Sequence, residues 1–200
     1  MANFNRIASL YDFLKRLVFG IQLDRATNHS LNQIPSNSRI LIIGGGTGKI
    51  LQNFNSTHQI KYLELSTTML KKAEQLNTKA KVDFIQADIL DWRTDEKFDF
   101  IITPFVLDCF SEDQLNLMFL KLKNILYPEG KWIQIDFYPK NFTHHLLIKI
   151  MYVFFNLMVD LKIKNLADFD LLFEKHHFIL ERKALFYHSM IESKIYHQID

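Results

Sequence analysis

A glycine-rich turn followed by a distant acid is the part of this sequence best suited to chemistry. Gly44, Gly46 and Gly48 form a G-x-G-x-G pattern directly after the predicted strand 39–43, in which residues 40–43 are all apolar. Glycine lets the backbone turn sharply and come close to a ligand. Glu64 lies 20 residues after the first glycine, a spacing that places a carboxylate at the tip of the neighbouring strand, within reach of ribose hydroxyls. The pattern predicts a site for a ribose-containing ligand, although a lone acid at a strand end is more often simply exposed.

Two other nucleotide-binding motifs fit this turn less well. A phosphate-binding P-loop needs G-x-x-x-x-G-K-[ST]. Here Gly48 follows Gly44 by four positions instead of five, and Ile50 takes the Ser/Thr position. The dinucleotide fingerprint needs G-x-G-x-x-G, but its third glycine would fall on Lys49 or Leu51. The sequence therefore disfavours both motifs.

Four side chains are candidates for a general base. His144 and His145 follow the predicted fifth strand, while Asp108 and Tyr138 lie near strand ends. A base helps only when the acceptor must lose a proton, and the alternative for the two histidines is a polar helix N-terminus that faces water. The pair His176-His177 is expected in a solvated turn. The histidines show no i, i+4 pair beside an acid, so no metal site is predicted.

The elements that must position these residues follow from apolar patterning. Buried β-branched runs and extended stretches predict strands, and a 3.6-residue period predicts helices. Ser66 is a predicted N-cap, and Ser111 with Gln114 forms a predicted capping box. The predicted strands are 39–43, 60–65, 82–86, 98–103, 131–137, 177–186 and 188–197, and the helices outside the central region are 3–30, 142–160 and 166–176. A short helix is expected at 49–54, and Tyr127-Pro128-Glu129-Gly130 is predicted to be a turn.

Strands and helices alternate from residue 39 to residue 137, which implies a parallel sheet covered by helices on both faces. The last two extended stretches are close enough in sequence to pair as a hairpin. The predicted fold class is α/β: a Rossmann-like, doubly wound, mostly parallel seven-stranded sheet with a C-terminal antiparallel hairpin and an N-terminal helical lid. We predict one domain over residues 1–200, with a lid at 1–36, a cofactor-binding core at 37–138 and substrate-side helices and final strands at 139–200.

Composition narrows the class of protein. The chain has 200 residues, 48% of them hydrophobic, with 18 Phe, which suits one domain with a large apolar core or an apolar pocket. A net charge of +2 without a basic run argues against a nucleic-acid partner. With the single cysteine, Cys109, no internal disulfide can form, and the first residues lack the pattern of a signal peptide. A cytoplasmic location is expected.

The order and spacing of five motifs resemble a class I S-adenosylmethionine-dependent methyltransferase over roughly residues 4–138. The glycine turn resembles the first motif, and Glu64-Leu65-Ser66 with Met69-Leu70 resembles the acidic second motif. Gln86-Ala87-Asp88-Ile89 resembles the third, in which Asp approaches the adenine amino group and the next apolar residue packs on the ring. Residues 103–108 resemble the strand end that lines the methionine side of the cofactor, and residues 126–130 resemble the turn before the fifth strand.

The resemblance implies that the chain binds S-adenosylmethionine and transfers its methyl group to a small apolar or aromatic acceptor. Within the family, the chain most resembles the ubiquinone/menaquinone C-methyltransferase branch. The resemblance lies in Phe4-Asn5-Arg6-Ile7-Ala8 and Tyr11-Asp12, which are similar to a lid segment whose Tyr closes over the cofactor in that branch. One departure is Ile42, where the family usually carries an acid that helps fix the glycine loop and reaches the methionine amino group. The implied cofactor-binding residues are Gly44, Gly45, Gly46, Thr47, Gly48, Glu64, Leu65, Met69, Asp88, Ile89, Pro104 and Tyr11.

The helix predicted at 142–160 is apolar nearly all round, which is typical of a buried helix or of one that touches an apolar partner. It is too short to span a bilayer, which takes about 20 residues. We therefore weigh a core or lid role against an acceptor site with peripheral membrane contact. Two other functions compete with methyl transfer: a non-catalytic module that binds S-adenosylmethionine, kept open by Ile42, and a nicotinamide-dependent oxidoreductase on a similar sheet.

Overall fold

The computed structural model describes residues 19–149 and 167–199. Within these residues, strands and helices follow the order expected for an α/β fold. The helices are α1 (Gln22–Leu31), α2 (Thr67–Glu74), α3 (Glu112–Ile125), α4 (142–149) and α5 (Phe169–Lys175), and the strands are β1 (Arg39–Ile43), β2 (Gln59–Glu64), β3 (Lys81–Gln86), β4 (Phe98–Pro104), β5 (Leu126–Phe137), β6 (Phe178–Phe186) and β7 (Ile191–Gln198). Two 3-10 helices, Lys49–Asn53 and Leu107–Cys109, follow β1 and β4.

The seven strands form one sheet in the order β3-β2-β1-β4-β5-β7-β6. The first five run parallel, and β7 is antiparallel to both β5 and β6. The predicted fold class, with its C-terminal antiparallel hairpin, is confirmed. Strand order reverses between β1 and β4, and ligands of doubly wound sheets bind at the carboxyl ends of the strands beside such a point.

The central strand β1 explains why two layers of helices are needed. Ile40 and Ile42 point to one face of the sheet and Leu41 and Ile43 to the other, and all four are buried. The helices α1 and α2 cover the first face, while α3 and α5 cover the second. Burying one such aliphatic side chain stabilises the fold by about 1.5–3 kcal/mol. The continuous apolar run therefore gains burial free energy on both faces of the sheet, which favours a central position for β1.

The predicted helix starts are confirmed. The Ser66 hydroxyl accepts a hydrogen bond from the Met69 N–H at 3.3 Å, which caps α2. Ser111 and Gln114 form a reciprocal capping box at the start of α3. These caps hold backbone N–H groups that a helix cannot pair internally. They fix where α2 and α3 begin relative to the strand ends that precede them.

The N-terminal helix differs from its prediction. We predicted one helix over 3–30, but Gly20 has a φ of +56° and interrupts it, so that α1 begins at Gln22. The left-handed backbone at Gly20 cannot continue an α-helix. The remainder of the predicted lid, including Tyr11, lies outside the described residues, as does the predicted helix beyond residue 149.

The predicted turn at 127–130 is wrong, because these residues form an outward bulge inside β5. Leu126 pairs with Phe98, whereas Lys131 pairs with Phe100. The strand thus uses five positions where β4 uses two. The bulge is packed tightly: a Cβ on Gly130 would lie 2.7 Å from the Leu126 side chain. Turn-forming residues accommodate the extra length without reversing the chain.

The pair His176-His177 also differs from its prediction of a solvated turn. His176 is buried, its Nε2 lies 3.0 Å from Asn116 Oδ1, and its ring packs on Phe119 at a centroid distance of 5.1 Å. Only His177, with a φ of +63°, is an exposed turn residue. Over the described part of the chain, no helix has the length and apolarity to cross a membrane.

Candidate functional site

The carboxyl ends of β1 to β4 open into one cavity of about 790 Å³. The glycine turn and the ends of β2, β3 and β4 line this cavity. The helix α1 and the 3-10 helix after β1 also line it. Small-molecule sites in proteins typically measure about 300–1,000 Å³, so this cavity can enclose a cofactor-sized ligand.

The glycine turn needs glycine at each of its first two positions for a steric reason. A Cβ on Gly44 would lie 2.4 Å from the Val106 side chain, and a Cβ on Gly45 would lie 2.5 Å from the Tyr62 hydroxyl. Gly44 also has a φ of +69°, which side chains disfavour. Gly46 has a φ of +64°, but the nearest atom to its Cβ position is the Met69 sulfur, at 3.9 Å. The open side of Gly46 is where a ligand can lie directly against the backbone.

Gly48 has a different role from the other glycines. It does not line the cavity. A Cβ there would lie 2.6 Å from the Ala73 Cβ, and the φ of Gly48 is +84°. Gly48 therefore lets the turn pack closely on α2. The predicted contact of Gly48 with the cofactor stays a prediction.

Glu64 is buried at the end of β2, with 7% of its surface exposed. One carboxylate oxygen accepts a hydrogen bond from the Gly46 N–H at 3.1 Å, and the other accepts from the Ser66 N–H at 2.9 Å. A carboxylate has about four lone-pair positions, so capacity remains for ligand hydroxyls. The predicted ribose acceptor thus lines the cavity and also holds the glycine turn.

Tyr62 holds the same turn from the other side, and sequence reasoning missed it. Its side chain is fully buried and its hydroxyl donates a hydrogen bond to the Gly46 carbonyl at 3.0 Å. Burial, reinforced by the Glu64 carboxylate, raises the pKa of Tyr62 well above its usual value, so the phenol stays a donor. Gly46 is therefore fixed at both its N–H and its carbonyl, while Ile42 is fully buried in the core.

The remaining predicted residues of the second and third motifs come together on the cavity wall. Leu65, Met69, Asp88 and Ile89 all line it. Asp88 accepts a hydrogen bond from the Leu90 N–H at 2.9 Å, which sets the carboxylate at the tip of β3. Apolar side chains beside an acid at this edge suit a flat, polar-edged group such as adenine.

The end of β4 supplies an apolar part of the wall. Pro104, Phe105, Val106 and Phe110 line the cavity there. Phe105 has a φ of +53°, an unusual conformation for a bulky side chain. Its N–H donates to the Ile135 carbonyl at 2.7 Å. The predicted residue Pro104 is therefore in the cavity, next to a strained aromatic residue that the sequence did not single out.

None of the four candidate bases lies among the described residues that line the cavity. Tyr138 donates its hydroxyl to Gln134 Oε1 at 3.0 Å, and burial raises its pKa far above the usual range. His144 is buried instead of facing water, and its ring bonds locally to Asn141 at 3.3 Å and to the Lys140 N–H at 3.4 Å. His145 is exposed, as expected.

The helix α1 is the part of the site that sequence patterning did not assign to the cavity. Ile21, Asp24, Thr27 and Asn28 line it at helical spacing. The Asn53 side-chain amide donates to Asn28 Oδ1 at 2.9 Å, which ties α1 to the 3-10 helix after β1. The i, i+3, i+7 row of 21, 24 and 28 was the available signal, but it reads equally well as an ordinary exposed helix face.

Two curated proteins and a family model resemble the chain in sequence. The model of a methyltransferase domain matches residues 40–130. The tRNA1(Val) (adenine(37)-N6)-methyltransferase of Glaesserella parasuis serovar 5 is 36% identical over 77 residues, 34% of this chain and 33% of that protein. The ubiquinone/menaquinone biosynthesis C-methyltransferase UbiE of Pseudomonas savastanoi pv. phaseolicola is 28% identical over 147 residues, 67% of this chain and 56% of that protein. The chain spans about a third to about a half of the length of these relatives.

A solved structure agrees over the whole chain. The crystal structure of an S-adenosylmethionine-dependent methyltransferase from Clostridium acetobutylicum ATCC 824 has a TM-score of 0.67 and 14% identity, and the match covers 98% of this chain and 99% of that one. At this identity the likeness concerns the fold. Together with the methyltransferase-domain match over residues 40–130, the similarity to UbiE, the strand order and the glycine turn followed by an acid, it supports a class I S-adenosylmethionine-dependent methyltransferase with S-adenosylmethionine as its cofactor.

Proposed function

We propose that this protein is an enzyme that transfers a methyl group from S-adenosylmethionine to a small apolar or aromatic acceptor. One observation carries the proposal. The cavity gathers an open glycine turn, the Glu64 carboxylate and Asp88 at adjoining strand ends. The glycine turn suits the methionyl chain, Glu64 the ribose and Asp88 the adenine of S-adenosylmethionine. The three groups follow β1, β2 and β3, which are neighbours in the sheet.

The residues that line the cavity suggest which part of the cofactor each of them binds. Glu64 accepts hydrogen bonds from the ribose hydroxyls while it keeps Gly46 in place. Asp88 accepts from the adenine amino group, and Leu65, Met69 and Ile89 pack on the ring. Thr47 and Pro104 lie along the path between the adenosine and the acceptor. Tyr11 is proposed to close over the cofactor, as in the branch that its segment resembles.

The acceptor is proposed to approach the apolar wall at the end of β4. Phe105, Val106 and Phe110 line this wall, and apolar walls favour an apolar or aromatic molecule. The sequence similarity to UbiE points in the same direction by analogy. A net charge of +2 provides little attraction for RNA, although the similarity to a tRNA methyltransferase makes RNA the acceptor class to test second.

When bound, S-adenosylmethionine would supply an electrophilic methyl group: the acceptor would form a bond to the methyl carbon in line with the breaking carbon–sulfur bond, and the neutral thioether of S-adenosylhomocysteine would leave. The protein's part is to align the two partners and to exclude water. The apolar wall at Phe105 and Phe110 excludes water, and the rigid glycine turn fixes the cofactor side. Because none of the candidate bases lines the described cavity, we propose that transfer depends on positioning, with an acceptor that needs no strong base from the protein.

The primary test is calorimetric titration with S-adenosylmethionine, S-adenosylhomocysteine, NADH and NADPH. We expect micromolar affinity for the two adenosyl ligands and none for the nicotinamides. Glu64→Gln keeps the shape of the side chain but removes its charge, so the adenosyl affinity should fall about tenfold. Glu129→Gln, an exposed change in the β5 bulge, is the matched control. Binding of NADH alone would overturn the proposal in favour of an oxidoreductase.

Turnover distinguishes an enzyme from a binding module. Methyl-labelled S-adenosylmethionine is incubated with apolar phenols and quinols, then with bulk tRNA, and the label is followed into product. Transfer to a phenol or quinol supports the proposal. Transfer only to RNA would correct the acceptor class. Tight cofactor binding with no transfer to any acceptor would support the non-catalytic alternative.

We further propose a cytoplasmic protein that meets its acceptor at a membrane surface. On α4, Phe142 is 80% exposed and Leu146, one turn later, is 47% exposed. Two exposed apolar side chains on one helical face suit shallow contact with lipid. Co-sedimentation with phosphatidylcholine and phosphatidylglycerol vesicles tests this, with Phe142→Ser/Leu146→Ser as the variant. Equal sedimentation of both proteins would argue against it.

A further inference from the structure

The cavity wall contributed by α1 and the following 3-10 helix carries two opposite charges. Asp24 lies in the first turn of α1, and Lys49 begins the 3-10 helix after the glycine turn. Both side chains line the cavity and are exposed. Neither makes a hydrogen bond or an ion pair with another residue in the described ranges. The two charges therefore remain available to a ligand.

The other acids of the cavity are already engaged. Glu64 accepts from two backbone N–H groups, at 3.1 and 2.9 Å, and Asp88 accepts from the Leu90 N–H at 2.9 Å. Their positions at the ends of β2 and β3 also assign them to the adenosine part of a ligand. Asp24 lines the same cavity from α1 instead of from a strand end, so it is available to the rest of that ligand.

The local packing brings Asp24 and Lys49 to one region. Asn28 lies one helical turn after Asp24 on the same face of α1. Its side chain accepts from Asn53, in the 3-10 helix that Lys49 begins. The hydrogen-bonded pair Asn28 and Asn53 thus joins the two elements that carry the charges. An α-amino acid at neutral pH carries one ammonium and one carboxylate, which this pair of opposite charges complements.

We propose that Asp24 binds the ammonium and Lys49 the carboxylate of the methionyl head of the cofactor, an assignment that rests on the proposed function. The first strand provides no acid for this purpose, because β1 contains only Arg39 and four aliphatic residues. Ile42 lies in the same core cluster as Leu23, the residue before Asp24. The carboxylate for the ammonium thus comes from α1, the helix on the same side of the sheet as Ile42.

Three ligands that differ only in the head group separate the two contacts. S-adenosylhomocysteine carries both charges, S-adenosyl-3-thiopropylamine keeps only the ammonium, and 5′-methylthioadenosine has neither. Asp24→Asn should weaken the first two about tenfold and leave the third unchanged. Lys49→Gln should weaken only S-adenosylhomocysteine, by about tenfold. Both sizes are those of one charge-assisted hydrogen bond.

Controls keep the outcomes distinct. Glu129→Gln and Lys79→Gln make the same chemical changes at exposed sites outside the cavity, and they should bind all three ligands like the wild type. Unchanged 5′-methylthioadenosine binding by Asp24→Asn shows that the variant is folded. Equal loss for all three ligands, or no loss for S-adenosylhomocysteine, would overturn the head-group assignment alone. A wild-type protein that binds none of the three would overturn the proposed function with it.

Discussion

At the scale of single residues, the site depends on how Gly46 is held. Its N–H donates to Glu64 at 3.1 Å and its carbonyl accepts from Tyr62 at 3.0 Å. The sequence identified Glu64 because an acid 20 residues after a glycine has a functional meaning. Tyr62 could not be identified, since a tyrosine in a strand reads first as core. The ring of Tyr62 packs in the core, and its hydroxyl holds the Gly46 carbonyl; only the structure shows the role of the hydroxyl.

Tyr62→Phe isolates that hydroxyl. The ring keeps its packing against Phe84, whose centroid is 5.5 Å away, but the Gly46 carbonyl loses its donor. We expect the free energy of unfolding to fall by about 1 kcal/mol, and the affinity for S-adenosylhomocysteine to fall several-fold because the turn loosens. Urea unfolding and calorimetry measure the two effects. Tyr127→Phe, in the β5 bulge, is the control, and identical behaviour of the two variants would refute a positioning role for Tyr62.

Gly44 and Gly46 should respond differently to the same substitution. Both have positive φ, but a Cβ at Gly44 meets Val106 at 2.4 Å, whereas a Cβ at Gly46 meets nothing closer than 3.9 Å. Gly44→Ala combines backbone strain of about 1–2 kcal/mol with overpacking of about 1–3 kcal/mol. Gly46→Ala carries only the strain, but its methyl group projects into the ligand space.

Thermal unfolding and calorimetry distinguish the two glycine variants. Gly44→Ala should show the larger loss of stability. Gly46→Ala should show the larger loss of adenosyl affinity relative to its stability. The reverse ranking would mean that the ligand does not lie against Gly46.

At the scale of elements, the sequence predicted what local patterns encode and missed what docking decides. The strands and the caps at Ser66 and Ser111 follow from hydrophobic period and side-chain chemistry. The bulge at 127–130 does not, because turn-forming residues look alike whether the chain reverses or a strand bulges; the pairing of Leu126 with Phe98 decides it. The contribution of α1 to the cavity likewise depends on a tertiary contact, the hydrogen bond between Asn28 and Asn53.

A buried ionic cluster links β7, α5 and Tyr138, the residue after β5. Lys194 is fully buried, and its ammonium contacts the carboxylates of Asp170 and of Glu192 and lies 3.6 Å from the centre of the Tyr138 ring. In Lys194→Ala the buried negative charge of Glu192 loses its only fully buried cationic partner among the described residues and keeps the partly exposed Lys140 and Lys183. We expect a loss of about 3 kcal/mol in the free energy of unfolding, the lower end for a broken buried pair.

The matched control for Lys194 is Lys183→Ala. Lys183 lies 3.1 Å from the same Glu192, but its side chain is 37% exposed. An exposed ion pair contributes about 0–1 kcal/mol. Chemical denaturation compares the two variants, and losses of equal size would mean that burial does not set the strength of this cluster.

The same cluster predicts a pH dependence of stability. Burial alone would raise the pKa of Glu192, but the hydrogen-bonding lysines Lys140 and Lys194 outweigh it and leave the pKa below the ordinary value of 4.5. A lowered carboxyl pKa means that the folded state binds the proton less readily than the unfolded chain. The stabilisation is therefore present above about pH 4.5 and is lost as the pH falls through the lower folded value. Glu192→Gln should flatten the stability profile on the acid side of pH 4.5; an unchanged slope would contradict the assignment.

At the scale of the whole molecule, the topology brings distant segments to one edge. The reversal of strand order between β1 and β4 places residues from the glycine turn, Glu64, Asp88 and Pro104 around one cavity, although they span some 60 positions of the chain. This convergence was predictable, because alternating strands and helices allow few topologies. The wall formed by α1 was not predictable, because it requires α1 to fold back on β6 and β7 and to lie beside the 3-10 helix after β1. A ligand that bridges the two walls should stabilise both.

Hydrogen exchange tests that coupling. A ligand that binds only the folded state at 100 times its Kd stabilises it by about 2.7 kcal/mol. With saturating S-adenosylhomocysteine, amides of the glycine turn and of α1 should exchange more slowly, because the ligand contacts both walls. The helix α5 packs on the other face of the sheet, so amides there that open by local fluctuation should change little. Asn53→Ala removes the tie between Asn28 and the 3-10 helix, and it should reduce the protection of α1 more than that of the glycine turn. Protection confined to the glycine turn in the wild type would show that the ligand does not stabilise α1.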